Sequence, residues 1–81
     1  MDELVRHIIG QLVNNPQDLE VTSSESNGAV RIVVSVLPEE AGLVIGRRGY
    51  VIRAIRQLCN VIAVKQKKRV IVDVIPIGQE N

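Results

Sequence analysis

The apolar positions of this chain follow a helical period at first and a strand period further on. Near the N-terminus, the residues that recur every three or four positions are Leu4, Val5, Ile8, Ile9, Leu12 and Val13. This spacing predicts a helix over residues 3–14, which must end before Pro16 because proline cannot continue the hydrogen-bond ladder. Leu19, Val21 and Ser23 alternate with polar neighbours, and residues 29–37 are rich in β-branched side chains. These two patterns predict two paired strands, joined by a turn at Ser26-Asn27-Gly28.

The second half of the chain predicts two helices and a last strand. Pro38 closes the second strand and can occupy the first turn of a short helix over residues 39–45. Apolar residues at helical spacing predict a longer helix over residues 50–64, and the valines and isoleucines of residues 69–75 predict a largely buried strand. The predicted order is α-β-β-α-α-β, in one α+β domain of residues 1–81.

Composition limits the classes of protein that need to be considered. A hydrophobic fraction of 46% with 23% charged residues is typical of a globular domain. Cys59 is the only cysteine, which excludes an intramolecular disulfide and zinc sites built on cysteine pairs. The N-terminus lacks a secretory pattern, and no apolar run approaches the ~20 residues of a membrane span. We therefore expect a cytoplasmic protein.

The sequence offers no catalytic constellation. His7 is the only histidine and adjoins core positions of the first helix, and Cys59 falls on the apolar stripe of the long helix. Buried thiols of this kind are usually inert. The acidic residues cluster at predicted helix starts, where the helix dipole explains them. We expect no catalytic residue, no metal ligand and no cofactor.

Charge is segregated along the chain. Residues 1–45 contain two basic and seven acidic side chains, whereas residues 46–72 contain eight basic side chains and no acidic one. Such blocks favour one positive face, as in proteins that bind polyanions. For the run Lys65, Lys67, Lys68 and Arg69, a solvated loop after the helix is an equally good interpretation.

The most specific motif is Gly46-Arg47-Arg48-Gly49, which lies between two apolar segments. Glycine tolerates left-handed dihedrals and leaves room for a ligand against the backbone. Arginine carries a permanent charge and forked donors that suit phosphate oxygens. The motif predicts a tight helix-to-helix turn where a sugar-phosphate backbone can approach the main chain.

This motif, with Val44-Ile45 before it and residues 52–56 after it, resembles the GxxG loop of the KH (K homology) family. The leading helix and strand are similar to the bacterial, type II arrangement, and the resemblance covers the whole chain. It implies a three-stranded mixed sheet with three helices packed on one face. It also implies that the ligand is single-stranded RNA and that the protein acts as an RNA chaperone or post-transcriptional regulator.

The resemblance also assigns roles to individual residues. The loop residues that would hold the RNA backbone are Gly46, Arg47, Arg48 and Gly49, and Arg53 would add a second contact. The residues that would line an aliphatic groove are Val44, Ile45 and Ile52, with Ile32 and Val34 as further contributors. For Val44, Ile45 and Ile52, plain core packing is the alternative. Tyr50 either stacks on a base or packs back on its own helix.

Other nucleic-acid-binding folds fit this chain less well. RRM and OB-fold domains stack bases on aromatic side chains, and this chain has only Tyr50. A helix-turn-helix DNA-binding domain also has a short glycine turn, and an outward arc of Arg53, Arg56, Gln57 and Asn60 could read bases. The three predicted strands and the arginines within the turn itself favour the KH interpretation.

The long helix predicts an apolar arc of roughly 200°, about twice what a surface helix requires. Leu58, Val61 and Ile62 are therefore candidates for a two-fold dimer interface. The alternative is that the sheet and the first helix cover the whole arc. The resemblance implies self-association or pairing with a larger KH-containing protein. A second hypothesis for function follows: a protein-interaction subunit in which RNA binding is secondary.

Overall fold

The computed structural model describes residues 1–78 and contains the predicted elements in the predicted order. The helices are α1 (Asp2–Gly10), α2 (Ala41–Ile45) and α3 (Tyr50–Lys65), and the strands are β1 (Glu20–Ser26), β2 (Ala29–Val36) and β3 (Arg69–Pro76). Three short 3-10 turns, at Pro16–Asp18, Pro38–Glu40 and Arg47–Gly49, complete the connections. The α-β-β-α-α-β prediction is confirmed.

The strands form one mixed sheet in the order β1-β2-β3. β1 runs antiparallel to β2, and β3 runs parallel to β2, with Ile32 of β2 opposite both Ser23 and Val72. A parallel neighbour requires a crossover, and α2 and α3 provide it. The mixed three-stranded sheet implied by the resemblance is therefore present.

The hydrophobic core lies between the helices and one face of the sheet. Alternate residues of β2 are buried on that face, namely Val30, Ile32, Val34 and Val36. Val5 and Ile9 of α1 and Ile52, Ile55, Cys59 and Ala63 of α3 pack onto it. The opposite face carries an exposed ion pair between Arg31 and Asp73, 3.0 Å apart. The helices thus pack on one face, as expected.

The first helix is shorter than predicted. It ends at Gly10 instead of residue 14, because the amides of Gln11 and Leu12 bond to carbonyls only three residues back, which tightens the last turn. The prediction extended the helix because the apolar spacing continues to Val13. Val13 is indeed buried, but it belongs to the irregular segment that follows the helix.

Glu40 explains where the chain goes next. This carboxylate is only 3% exposed and accepts hydrogen bonds from the backbone amides of Asn14 and Asn15, the latter at 3.1 Å. The helix-dipole interpretation of the acidic residues is therefore insufficient for Glu40. The Glu40 carboxylate links the loop after α1 to the start of α2. It therefore fixes the position of α2, the helix that leads into the Gly46–Gly49 bend.

Candidate nucleic-acid interface

The bend between α2 and α3 has a backbone that only glycine allows at its first position. Gly46 has φ 78° and ψ 170°, and a Cβ there would lie 2.8 Å from Val51 Cβ and 2.9 Å from the Val51 nitrogen. Gly49 is left-handed, and so is Arg48 at φ 56°. The first glycine lets the bend pack tightly against the start of α3.

Arg47 and Arg48 project from this bend into solvent. Both side chains are exposed, and within residues 1–78 neither guanidinium has a hydrogen-bond or ion-pair partner. Among the other basic residues, Lys68 pairs with Glu25 at 2.9 Å and Arg31 pairs with Asp73. The two loop arginines therefore keep all ten of their N–H donors for a ligand.

Arg53 connects the bend to α3. It donates from Nη2 to the Arg48 carbonyl oxygen at 2.9 Å and from Nε to the Gly49 carbonyl oxygen at 3.3 Å. Its guanidinium also lies 4.9 Å from the centre of the Tyr50 ring, in cation–π geometry. Tyr50 thus contacts its own helix while most of its surface remains exposed. These contacts hold the two loop carbonyls in place.

The aliphatic candidates differ in burial. Val44, Ile32 and Val34 have no exposed surface, and Ile52 is buried as well, so these four belong to the core. Ile45 is 40% exposed beside the bend, and Leu43, which no sequence pattern singles out, is similarly exposed. The accessible aliphatic surface near the bend consists of Leu43 and Ile45.

Arg56 makes a contact that sequence reasoning missed. It donates from Nε and Nη2 to the Val72 carbonyl oxygen, at 3.1 and 3.0 Å. The backbone amides of Arg69 and Ile77 donate hydrogen bonds to carbonyls on the β2 side. The backbone N–H and C=O groups of the odd-numbered residues of β3 therefore point toward β2, and those of Val72 point toward the free edge of the sheet. No local sequence signal points to this contact, because its two partners are 16 residues apart in the chain.

A second exposed surface of α3 is apolar. We call Ala54, Leu58, Val61 and Val64 the apolar flank; all four are exposed, Val61 by 66%, and Ile62 beside them is half-buried. The buried face of the helix, with Ile52, Ile55, Cys59 and Ala63, lies on the opposite side. The alternative that the sheet and α1 cover the whole apolar arc is therefore wrong.

The remaining candidates for chemistry are separated from one another. His7 is exposed on α1, whereas Cys59 is in the core, where burial raises the pKa of its thiol. Residues 1–78 contain no cluster of three or more histidine, cysteine or acidic residues that could hold a metal ion. The same residues enclose no pocket. None of the helices in this part of the chain has the length and apolarity needed to span a bilayer.

The helix-turn-helix alternative does not fit this architecture. Arg53 and Arg56, which would have to read bases from the exposed arc of α3, are bound to carbonyls of the bend and of β3. A three-stranded sheet also stands where such domains have a third helix.

Comparison with known proteins agrees with the fold. A family model described as KhpA/KhpB, KH domain, matches residues 2–74. Proteins named RNA-binding protein KhpA are similar: that of Caldanaerobacter subterraneus is 44% identical over 75 residues, which are 93% of this chain and 100% of the relative. That of Halalkalibacterium halodurans is 39% identical over 93% of this chain and 99% of the relative. That of Bacillus subtilis is 31% identical over 86% of each of the two chains. The resemblance to KH domains is confirmed, and the chain belongs to the KhpA/KhpB family of KH domains.

Proposed function

We propose that this protein binds single-stranded RNA and that the Gly46–Gly49 bend contacts the phosphate backbone. The observation that carries the proposal is the pair of exposed guanidinium groups, Arg47 and Arg48, without protein partners on a glycine-bracketed bend. Relatives with 31–44% identity over most of the chain are named RNA-binding proteins, which supports the same ligand.

The geometry favours an extended polyanion over a compact ligand. Arg47 and Arg48 are neighbouring exposed side chains, which suit a ligand that carries negative charge at regular intervals. Gly46 and Gly49 have no side chain to keep it away from the backbone, and the amides at the start of α3 can add donors. Arg53 supplies positive charge one turn further along, while Tyr50 presents one exposed ring for a base.

The aliphatic part of the interface is smaller than the sequence predicted. In the proposal, Ile45 and Leu43 contact the bases or sugars directly, whereas Val44 and Ile52 support them from the core. About four nucleotides fit one KH surface, so affinity for a single domain should be modest. A role as RNA chaperone or post-transcriptional regulator, in the cytoplasm, is consistent with such binding and is part of the proposal.

The apolar flank supports a further part of this proposal, namely self-association. Leu58 and Val61 project from α3 into solvent, and a second copy placed across a two-fold axis would cover them with the same residues. Ile62 would contribute from the edge of that contact. Because the matching family model covers both KhpA and KhpB, a KhpB-like KH protein is the other candidate partner. Pairing would raise RNA affinity through effective concentration.

The test is charge reversal with a matched control. Arg47→Asp with Arg48→Asp should strongly weaken the binding of short oligoribonucleotides, measured by fluorescence anisotropy, and should lower the slope of log affinity against log salt by about 1.4. The control is Lys65→Asp with Lys67→Asp, which changes net charge equally at the opposite end of α3, about 24 Å away along the helix.

Circular dichroism and solution mass should stay unchanged in both double variants, since all four side chains are exposed. Equal loss of binding in the two variants would show that only overall charge matters. Unchanged affinity in the loop variant would favour the alternative function, a protein-interaction subunit with secondary RNA binding.

A further inference from the structure

The sheet ends in two edges without a strand partner, and an arginine from the helix layer reaches each of them. The order β1-β2-β3 leaves one side of β1 and one side of β3 unpaired by any strand of residues 1–78. Arg6 of α1 donates from Nη2 to the Val21 carbonyl oxygen of β1 at 3.2 Å. Arg56 of α3 donates from Nε and Nη2 to the Val72 carbonyl oxygen of β3. Each arginine thus occupies a backbone acceptor that an added strand would use.

The carbonyl of Val72 is the central acceptor on the β3 edge. Val72 lies in the middle of β3 and is only 1% exposed, although no described strand covers that side. Backbone groups alternate along a strand, so Val70 and Val74 direct their amides and carbonyls to the same edge. Pro76 ends the strand and has no amide. Arg56 therefore closes the edge at the point where an incoming strand would find its central partner.

The two edge strands differ in composition. Among the seven residues of β1, Val21 is the only apolar one, and the others are serine, threonine and glutamate. In β3, five of the eight residues are valine or isoleucine. A long edge strand that is rich in β-branched apolar residues is a template for pairing with another chain, whereas a polar one is not. β3 therefore depends on protection of its edge more than β1 does.

We infer that Arg56 blocks strand addition at the β3 edge and so prevents two copies of this chain from pairing there, β3 to β3. A second copy is the partner because the edge is the same in both copies, and two β3 strands related by a two-fold axis can pair antiparallel. This role is independent of RNA binding, since it concerns a bond to the backbone of the protein itself. It also concerns a different surface from the apolar flank of α3.

The experiment removes each arginine in turn from the full chain. Arg56→Ala takes away the donors and the stem, and should form assemblies whose mass, measured by light scattering, is severalfold that of the unmodified protein at equal concentration. Arg6→Ala makes the same change at the polar β1 edge and should keep the mass of the unmodified protein. Arg56→Gln loses the same charge as Arg56→Ala but places an amide nitrogen where Nε lies, so it retains a donor to Val72 and should also keep that mass.

Hydrogen exchange locates the new contact within the assemblies of Arg56→Ala. The amides of Val70 and Val74 should exchange about tenfold more slowly than in the unmodified protein, because they gain carbonyl partners from the second β3 strand. The amides of Ile71 and Asp73 point toward β2 and should keep their protection. Assembly of unfolded chains would instead remove that protection.

Three results would overturn the inference. They are an unchanged mass in Arg56→Ala, equal assembly by Arg6→Ala or Arg56→Gln, and assemblies in which the amides of Val70 and Val74 exchange as fast as before. Where the alanine variant does not fold, Arg56→Met takes its place with the same expected result, because methionine removes every donor but keeps an aliphatic stem and a high helix propensity.

Discussion

The two exposed sides of α3 are built in opposite ways. On one side, which we call the polar flank, Arg53 and Arg56 are held by backbone carbonyls of the bend and of β3. On the apolar flank, about 110° away around the helix axis, aliphatic side chains such as Val61 are exposed without any cover from residues 1–78. Fixed donors suit a charged strand that stays in water, whereas an uncovered aliphatic surface gains free energy only when another surface covers it.

In the proposed function, this difference lets one helix serve two partners at once. The flanks share a rigid scaffold, because the core face of α3, with Ile52, Ile55 and Cys59, packs against the sheet. A ligand on the polar flank leaves the apolar flank open, and the reverse also holds. Changes confined to one flank should therefore leave the other function intact, which the following predictions test from the largest expected effect to the smallest.

Gly46→Ala should be the most damaging single change, because it affects the bend from which the polar flank begins. The added Cβ would overlap Val51, and alanine would be forced into a dihedral region that is essentially restricted to glycine. Strain and overpacking together should lower the free energy of unfolding by about 4 kcal/mol. Urea denaturation measures this loss. Gly42→Ala, at a helical position with open space, is the matched control and should leave stability equal or slightly higher.

Glu40→Ala should have the second-largest effect, because it removes hydrogen bonds that stabilise the fold on which both flanks depend. Removing the buried carboxylate leaves the amides of Asn14 and Asn15 without their acceptor, which should cost about 3 kcal/mol. The neighbouring Glu39 is exposed, so Glu39→Ala should change stability by less than about 0.5 kcal/mol. Thermal unfolding of the two variants side by side checks the difference. Similar melting temperatures would mean that the Glu40 contacts do not stabilise the fold.

The sequence predicted the helices, the strands and the bend better than it predicted which side chains are buried or exposed. Apolar periodicity predicted α1, β1 and α3, β-branched runs predicted β2 and β3, and the position of Pro38 predicted α2; in α3 the apolar spacing continues over four turns. The two glycines of the motif also located the bend correctly, because the backbone dihedrals that a residue allows are a local property of the sequence. The burial of Glu40 and the bond from Arg56 to Val72 depend on segments 16 or more residues apart. No local pattern encodes such contacts.

The aliphatic predictions show the same limit. Val44 and Ile45 are adjacent and equally apolar, yet one is fully buried and the other is 40% exposed. Periodicity within the five residues of α2 is too short to assign a face. In α3 the excess width of the apolar arc did signal an uncovered surface, which the exposure of Val61 bears out.

Val61→Asp tests the apolar flank alone. If two copies pair through this surface, the variant would bury two carboxylates in an apolar contact and should weaken self-association by about 3 kcal/mol. Sedimentation equilibrium should then show the mass of a monomer, while stability changes by less than about 0.5 kcal/mol because the position is exposed.

Asn60→Asp supplies the control for Val61→Asp, since it adds the same charge on the polar flank. It should leave the mass unchanged and weaken RNA binding slightly. An unmodified protein that is monomeric at every concentration would remove the second copy as the occupant of the apolar flank.

Arg53→Met should have the smallest effect and separates positioning from direct contact on the polar flank. The variant keeps the aliphatic stem but loses the bonds to the Arg48 and Gly49 carbonyls and the contact with Tyr50. Because these groups are exposed, stability should fall by no more than about 1 kcal/mol. RNA affinity should fall severalfold, and amide chemical shifts at the bend should move in the free protein, since the carbonyls are no longer held. Arg69→Met, an exposed arginine on β3, should lower affinity less and leave those shifts in place. If the bend amides did not move in Arg53→Met, Arg53 would act on RNA by its charge alone, and the polar flank would be less preorganised than its hydrogen bonds indicate.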